Sequence, residues 1–133
     1  MSDCQQTRIY KNRWFAKFAS RVGISDAMLI AAVAQADQGQ IDADLGAGLI
    51  KQRVAREGEG KSGGYRTLMF FRHEQRAVFA FGFAKSDKSN LTATELKVYK
   101  QAAKIVLALT SEQIAIEVRE KRLFEVNDDV QDV

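Results

Sequence analysis

Apolar residues first recur with a helical period at Trp14, Phe15, Phe18 and Val22, the spacing of one buried helix face. Asn12 offers a capping side chain before them and Gly23 a left-handed stop after them, so a helix is expected from Asn12 to about Val22. Ser25 then caps a second helix to about Gln38, with Leu29, Ile30, Val33 and Ala36 on one face and Gly39 at its end. The period changes at Leu49. From there to Arg56 the residues alternate, Leu49, Lys51, Arg53 and Ala55 on one face and Ile50, Gln52, Val54 and Arg56 on the other, which is strand spacing. A glycine-rich turn from Glu57 to Gly63 leads to two aromatic, β-rich runs, Tyr65 to Arg72 and Ala77 to Ala84, joined by a tight hairpin over His73 to Arg76. Simple alternation along the second run puts Phe79, Phe81 and Phe83 on one face, toward the helices, and leaves the opposite face shallow.

After the polar connector Lys85 to Asn90, Thr92 and Glu95 stand at capping-box spacing, flanked by Leu91 and Leu96 as a hydrophobic staple. Leu96, Tyr99, Ala103, Val106 and Leu107 form the buried stripe of the helix that follows, with Lys97, Lys100 and Lys104 on a cationic flank. Thr110 and Gln113 repeat the cap for a shorter helix to about Lys121, and Leu123 to Val126 fits a brief strand. The expected order is helix, helix, a meander of about three strands, helix, helix. That is an α+β fold with a small antiparallel sheet of three to four strands.

The chain has 133 residues, room for one domain, with no proline, one cysteine (Cys4) and one histidine (His73). A lone thiol forms no internal disulfide, and no cationic stretch followed by an apolar run opens the chain, so a reducing, cytoplasmic setting is expected. The longest apolar run, about Met28 to Ala34, falls far short of the ~20 residues that cross a bilayer. Zinc sites of the Cys/His type lack ligands, and a Ser-His-Asp or Cys-His nucleophile would hang on His73 alone. No metal or cofactor is expected.

The net charge of +3 hides its distribution. Residues 1–50 carry five cations and five anions, residues 51–110 twelve and five, and residues 111–133 three and seven. A basic middle argues for a polyanionic partner, because each neutralised phosphate releases counterions. Lys51, Arg53 and Arg66 are the sharpest candidates, since strands joined by the glycine-rich turn can bring all three to one sheet face; a solvated face is the simpler alternative. Gly58 to Gly63 matches G-x-G-x-x-G and holds Gly-Lys-Ser, but a strand follows where a nucleotide site needs a helix, and Ala55 stands where a P-loop needs glycine. His73 is read as a turn residue, and Tyr99 and Trp14 as core.

Three blocks, Ile50 to Arg56, Gly60-Lys61-Ser62-Gly63-Gly64-Tyr65-Arg66, and Phe81-Gly82-Phe83-Ala84-Lys85-Ser86-Asp87-Lys88-Ser89-Asn90-Leu91, resemble the RelE/ParE toxin superfamily of bacterial type II toxin–antitoxin modules, nearest the RelE-like branch described with HigB toxins. The resemblance spans roughly Ile9 to Leu109 and implies a single RelE-like domain over residues 1–126, followed by an acidic, frayed tail at 127–133. It implies an endoribonuclease that cuts mRNA on the ribosome, inhibits translation, and is silenced by an antitoxin, typically a small helix-turn-helix protein. By position, Lys51, Arg53, Arg66 and Lys85 match the catalytic cations, and Arg56, Lys61, Tyr65, Lys88 and Asn90 the RNA-binding positions. In that chemistry Lys51 is the candidate base, while Arg53 and Arg66 neutralise the phosphate. One position departs from the pattern: the tyrosine that RelE carries after the last strand of the sheet has no counterpart, and Leu91 stands near it. A nonenzymatic gyrase inhibitor of the ParE type and a catalytically weakened RNA-binding member are the alternatives.

Overall fold

A computed structural model describes residues 7–56, 60–84 and 91–127, with the side chains at 55, 56 and 60–63 excepted. The chain begins with strand β1 (Arg8–Asn12) and continues through helices α1 (Arg13–Val22) and α2 (Asp26–Asp37). Strands β2 (Ala43–Gly46), β3 (Leu49–Arg56), β4 (Gly60–Arg72) and β5 (Arg76–Ala84) follow, then α3 (Ala93–Ala108), α4 (Ser111–Arg119) and β6 (Leu123–Val126). The expected caps form. Asn12 accepts from the Phe15 amide at 2.8 Å, and Gly23 stops α1 at φ 85°. Both capping boxes, Thr92 with Glu95 and Thr110 with Gln113, are closed in each direction. No described helix is long and apolar enough to cross a membrane.

Among the described residues the sheet has six strands in the order β2-β3-β4-β5-β1-β6, and the β1–β5 pairing is parallel. This corrects the expected antiparallel sheet of three to four strands. Strand β1 was hidden because Ile9 and Tyr10 are both buried, one toward each face, so no alternation marks it. Strand β2 has only four residues, Asp44 and Gly46 among them, and its strand character comes from pairing with β3.

Helices cover both faces. Ile9, Ile50, Val54, Met69 and Phe79 pack with Phe15, Phe18, Leu29 and Val33 on the α1–α2 side. Tyr10, Leu49, Leu68, Phe70 and Val78 pack with Ala103, Leu107 and Ile114 on the α3–α4 side. A strand in the middle of such a sandwich reads as a continuous apolar run, as β5 does.

Alternation along β5 breaks at one point. Leu68 pairs with Phe81 and Met69 with Phe79, which leaves Ala80 unpaired as a β-bulge. Phe79 therefore faces α1 and α2, whereas Phe81 packs on the α3 side, so the three phenylalanines do not share a face. Nor is the other face shallow. A Cβ on Gly82 would lie 2.5 Å from Phe18 Cε2 and 3.2 Å from Phe15 Cε1. Gly82→Ala is expected to cost about 1–3 kcal/mol through overpacking, read as a lower denaturation midpoint at unchanged m-value.

Candidate functional site

The register of β3 and β4 builds the cationic site. Arg53 pairs directly with Arg66, and Lys51 with Leu68, one row further along the same face. Because Ile50, Gln52 and Val54 are committed to the α2 side, Lys51 and Arg53 must project toward α3. Arg66 also pairs with Phe83, and Leu68 with Phe81, so an aromatic border flanks the three cations. All three are half-buried.

Directly opposed cations on a sheet repel each other. Here a carboxylate offsets part of that cost, with Asp42 Oδ2 3.6 Å from Arg66 Nε. Asp42 is itself held, its amide donating to Gln52 Oε1 at 3.1 Å. The Gln52 side chain is 2% exposed and donates through Nε2 to the carbonyls of Ala32 and Gln40, both at 3.0 Å. The Thr67 hydroxyl, one register pair away from the cations, donates to the Gln52 carbonyl at 2.9 Å. Sequence reading missed Asp42 and Gln52. The one signal available was a glutamine between the apolar Ile50 and Val54 on one side of β3.

The remaining candidates divide. Tyr65 is turned to the opposite face, buried with its ring edge-on to Phe18 at 5.7 Å, so it belongs with the core and away from the cations. Its partner across the sheet, Val54, faces the same way. Lys85, Lys88 and Asn90 lie outside the described residues, as do the side chains of Arg56 and Lys61; Cys4 and residues 128–133 of the expected tail lie outside them too. The expected turn over Glu57 to Gly63 is shorter, since Arg56 already pairs with Gly60 and β4 starts there. A strand thus leads into a strand, unlike a nucleotide-binding turn.

His73 is exposed in the β4–β5 turn, with Nε2 2.8 Å from the Asp37 carbonyl, a tie to the end of α2. Trp14, expected in the core, is 43% exposed and stacks on Phe81 at 4.5 Å and Phe18 at 5.3 Å. It closes the stretch of β5 that runs past the end of β1. Of the α3 lysines, Lys97 and Lys104 are exposed, whereas Lys100 packs against Gly46.

Tyr99 lies against Phe81 at 5.8 Å. Burial pushes its phenol above the ordinary value of 10.0, and the Glu95 carboxylate adds to the shift. A phenol harder to ionise in the folded than in the unfolded chain leaves stability intact below the unfolded value and withdraws it as pH rises through the folded one. Unfolding free energy is therefore expected to fall above pH 10.0, and Tyr99→Phe should flatten that fall in alkaline denaturant melts.

Fold and site together define a small α+β protein whose cations are gathered on one face of a mixed sheet, a surface suited to an anionic partner. A family model described as the RelE toxin of the RelE/RelB toxin-antitoxin system matches residues 7–126, and the chain belongs to that family. It is a toxin of a toxin–antitoxin system, with an antitoxin as its partner. No curated protein matches the chain significantly.

Proposed function

We propose that the chain is an mRNA endoribonuclease of the HigB-like branch, cutting message on the ribosome and so halting translation in the bacterial cytoplasm. The observation that carries this reading is the register of β3 and β4, which sets Arg53 opposite Arg66 with Lys51 two pairs along on the same face. Residues 1–126 act as one toxin domain in this proposal, with 127–133 as a tail. Lys85 completes the catalytic cations, while Arg56, Lys61, Lys88 and Asn90 follow the RNA backbone.

The chemistry requires a proton acceptor and cations. Lys51 takes the proton of a ribose 2′-hydroxyl, whose oxygen attacks the adjacent phosphorus. The 5′-oxygen of the next nucleotide leaves and is protonated by water, and a 2′,3′-cyclic phosphate remains. Charge gathers on the nonbridging oxygens during attack, and the forked guanidinium donors of Arg53 and Arg66 meet it. A positioned base contributes only about 10²- to 10⁴-fold, so such a site is slow on free RNA. A ribosome that holds the message in line for attack supplies part of the missing barrier reduction.

Primer extension on message from cells expressing the chain tests the reading. Discrete new 5′ ends within translated regions are expected. Intact message together with defects in plasmid supercoiling would instead point to a ParE-type action on gyrase, and wild-type expression without any growth defect to an inactive member.

A further inference from the structure

A second cationic cluster sits apart from the Lys51–Arg53–Arg66 row. Arg76 pairs in register with Arg72 on β4 and with Arg8 on β1, so three arginines stand side by side across three strands. They share the α3–α4 side of the sheet with Tyr10 and Phe70. Arg72 lies six residues along β4 from Arg66, about 20 Å at strand spacing, so the two clusters occupy different ends of the sheet.

The arginines line a cavity of about 590 Å³ between the sheet and the α3–α4 connection. Its α3–α4 side carries aliphatic Leu107, Ile114, Ala115 and Val118, with Thr110 and Ser111 among them. The guanidinium of Arg76 is spent on the fold, donating to the carbonyls of Val106 at 3.0 Å and Leu109 at 2.9 Å and so closing the end of α3. Burial lowers its pKa, and Arg72 and Arg8 push the same way, while Tyr10 opposes them. Glu125 is the one carboxylate among the described lining residues, 3.7 Å from Arg8. Arg72 has no ion-pair partner among the described residues. Among the described residues, positive charge at the cavity is thus under-compensated.

The two walls select the kind of occupant. RNA backbone is polar throughout and would leave the aliphatic wall unused, whereas a peptide carrying Asp or Glu beside aliphatic side chains satisfies both. We propose that this cavity receives an acidic, partly aliphatic segment of the antitoxin, with Arg8 and Arg72 meeting its carboxylates and the α3–α4 wall its apolar side chains. The proposal rests on the antitoxin partnership of the family and leaves the nuclease row outside the contact made by this segment.

The test titrates the purified product of the reading frame adjacent to this gene into the full chain by calorimetry. Wild type is compared with an Arg8→Gln/Arg72→Gln double variant. Both side chains are exposed, so the variant keeps its fold, checked by circular dichroism, and Arg76 is left in place for its role at α3. The variant is expected to bind at least about 30-fold more weakly and with a shallower salt dependence. It is also expected to arrest growth like wild type while escaping neutralisation. Affinity within twofold of wild type overturns the proposal. So does a variant that keeps antitoxin affinity but loses RNA binding, which would reassign the cavity to RNA. If the neighbouring product binds neither protein, the partner assignment fails as well, whatever the primer-extension result for the nuclease row.

Discussion

Arg66→Ala is expected to abolish growth arrest and to slow message cleavage by about 10²- to 10³-fold, the cost of removing one donor aimed at developing charge. Arg66 stands where three features of the fold meet. The β3–β4 register sets it opposite Arg53, the β4–β5 register sets it beside Phe83, and Asp42 approaches its Nε. Its side chain is 20% exposed, enough to reach a phosphate yet confined enough to be held in place. The loss should be one of chemistry. Asp42 is 36% exposed and is rehydrated when its partner goes, so the thermal midpoint should move little. Arg66→Lys keeps the charge but loses the planar fork, and should recover part of the activity. Quantitative primer extension at matched protein levels separates the three proteins. Wild-type cleavage in both Arg66→Ala and Lys51→Ala would remove the site from this face.

Gln52→Leu is expected to be the most damaging conservative change to stability, at about 2–4 kcal/mol. Leucine has nearly the volume of glutamine, so the loss is not one of packing. It comes from three backbone groups, the carbonyls of Ala32 and Gln40 and the amide of Asp42, which give up a partner at a residue only 2% exposed. These contacts tie the middle of α2 and the approach to β2 onto β3. Losing them should also free Asp42, and with it the position of Arg66. Calorimetric melting with cleavage measured in parallel gives the readout: a midpoint lowered by several degrees and reduced activity at temperatures where the variant is still folded. A midpoint unchanged within a degree would show that water replaces the glutamine at no cost.

Much of this was written locally. Asn12, Ser25, Thr92 and Thr110 cap the helices because each needs only an amide two or three residues ahead. Strands β3, β4 and β5 were legible from alternation and aromatic content, and the cation pair of β3 from its spacing of two. What stayed hidden depended on distant chain. Arg8–Asn12 becomes a strand by pairing with residues nearly seventy positions away. Tyr65 faces the core because Val54 does, and one unpaired residue, Ala80, sends Phe81 and Phe83 to the cationic face and Gly82 under Phe18.

The sequence by itself determined where helices start and stop, which strands alternate, and that positive charge is concentrated in residues 51–110. Those properties depend on neighbours within a few residues. Only the tertiary structure decided the strand order, the parallel β1–β5 pair, the opposition of Arg53 to Arg66, and the row formed by Arg8, Arg76 and Arg72. Each depends on register between separate strands, where a slip of one residue turns every side chain to the other face.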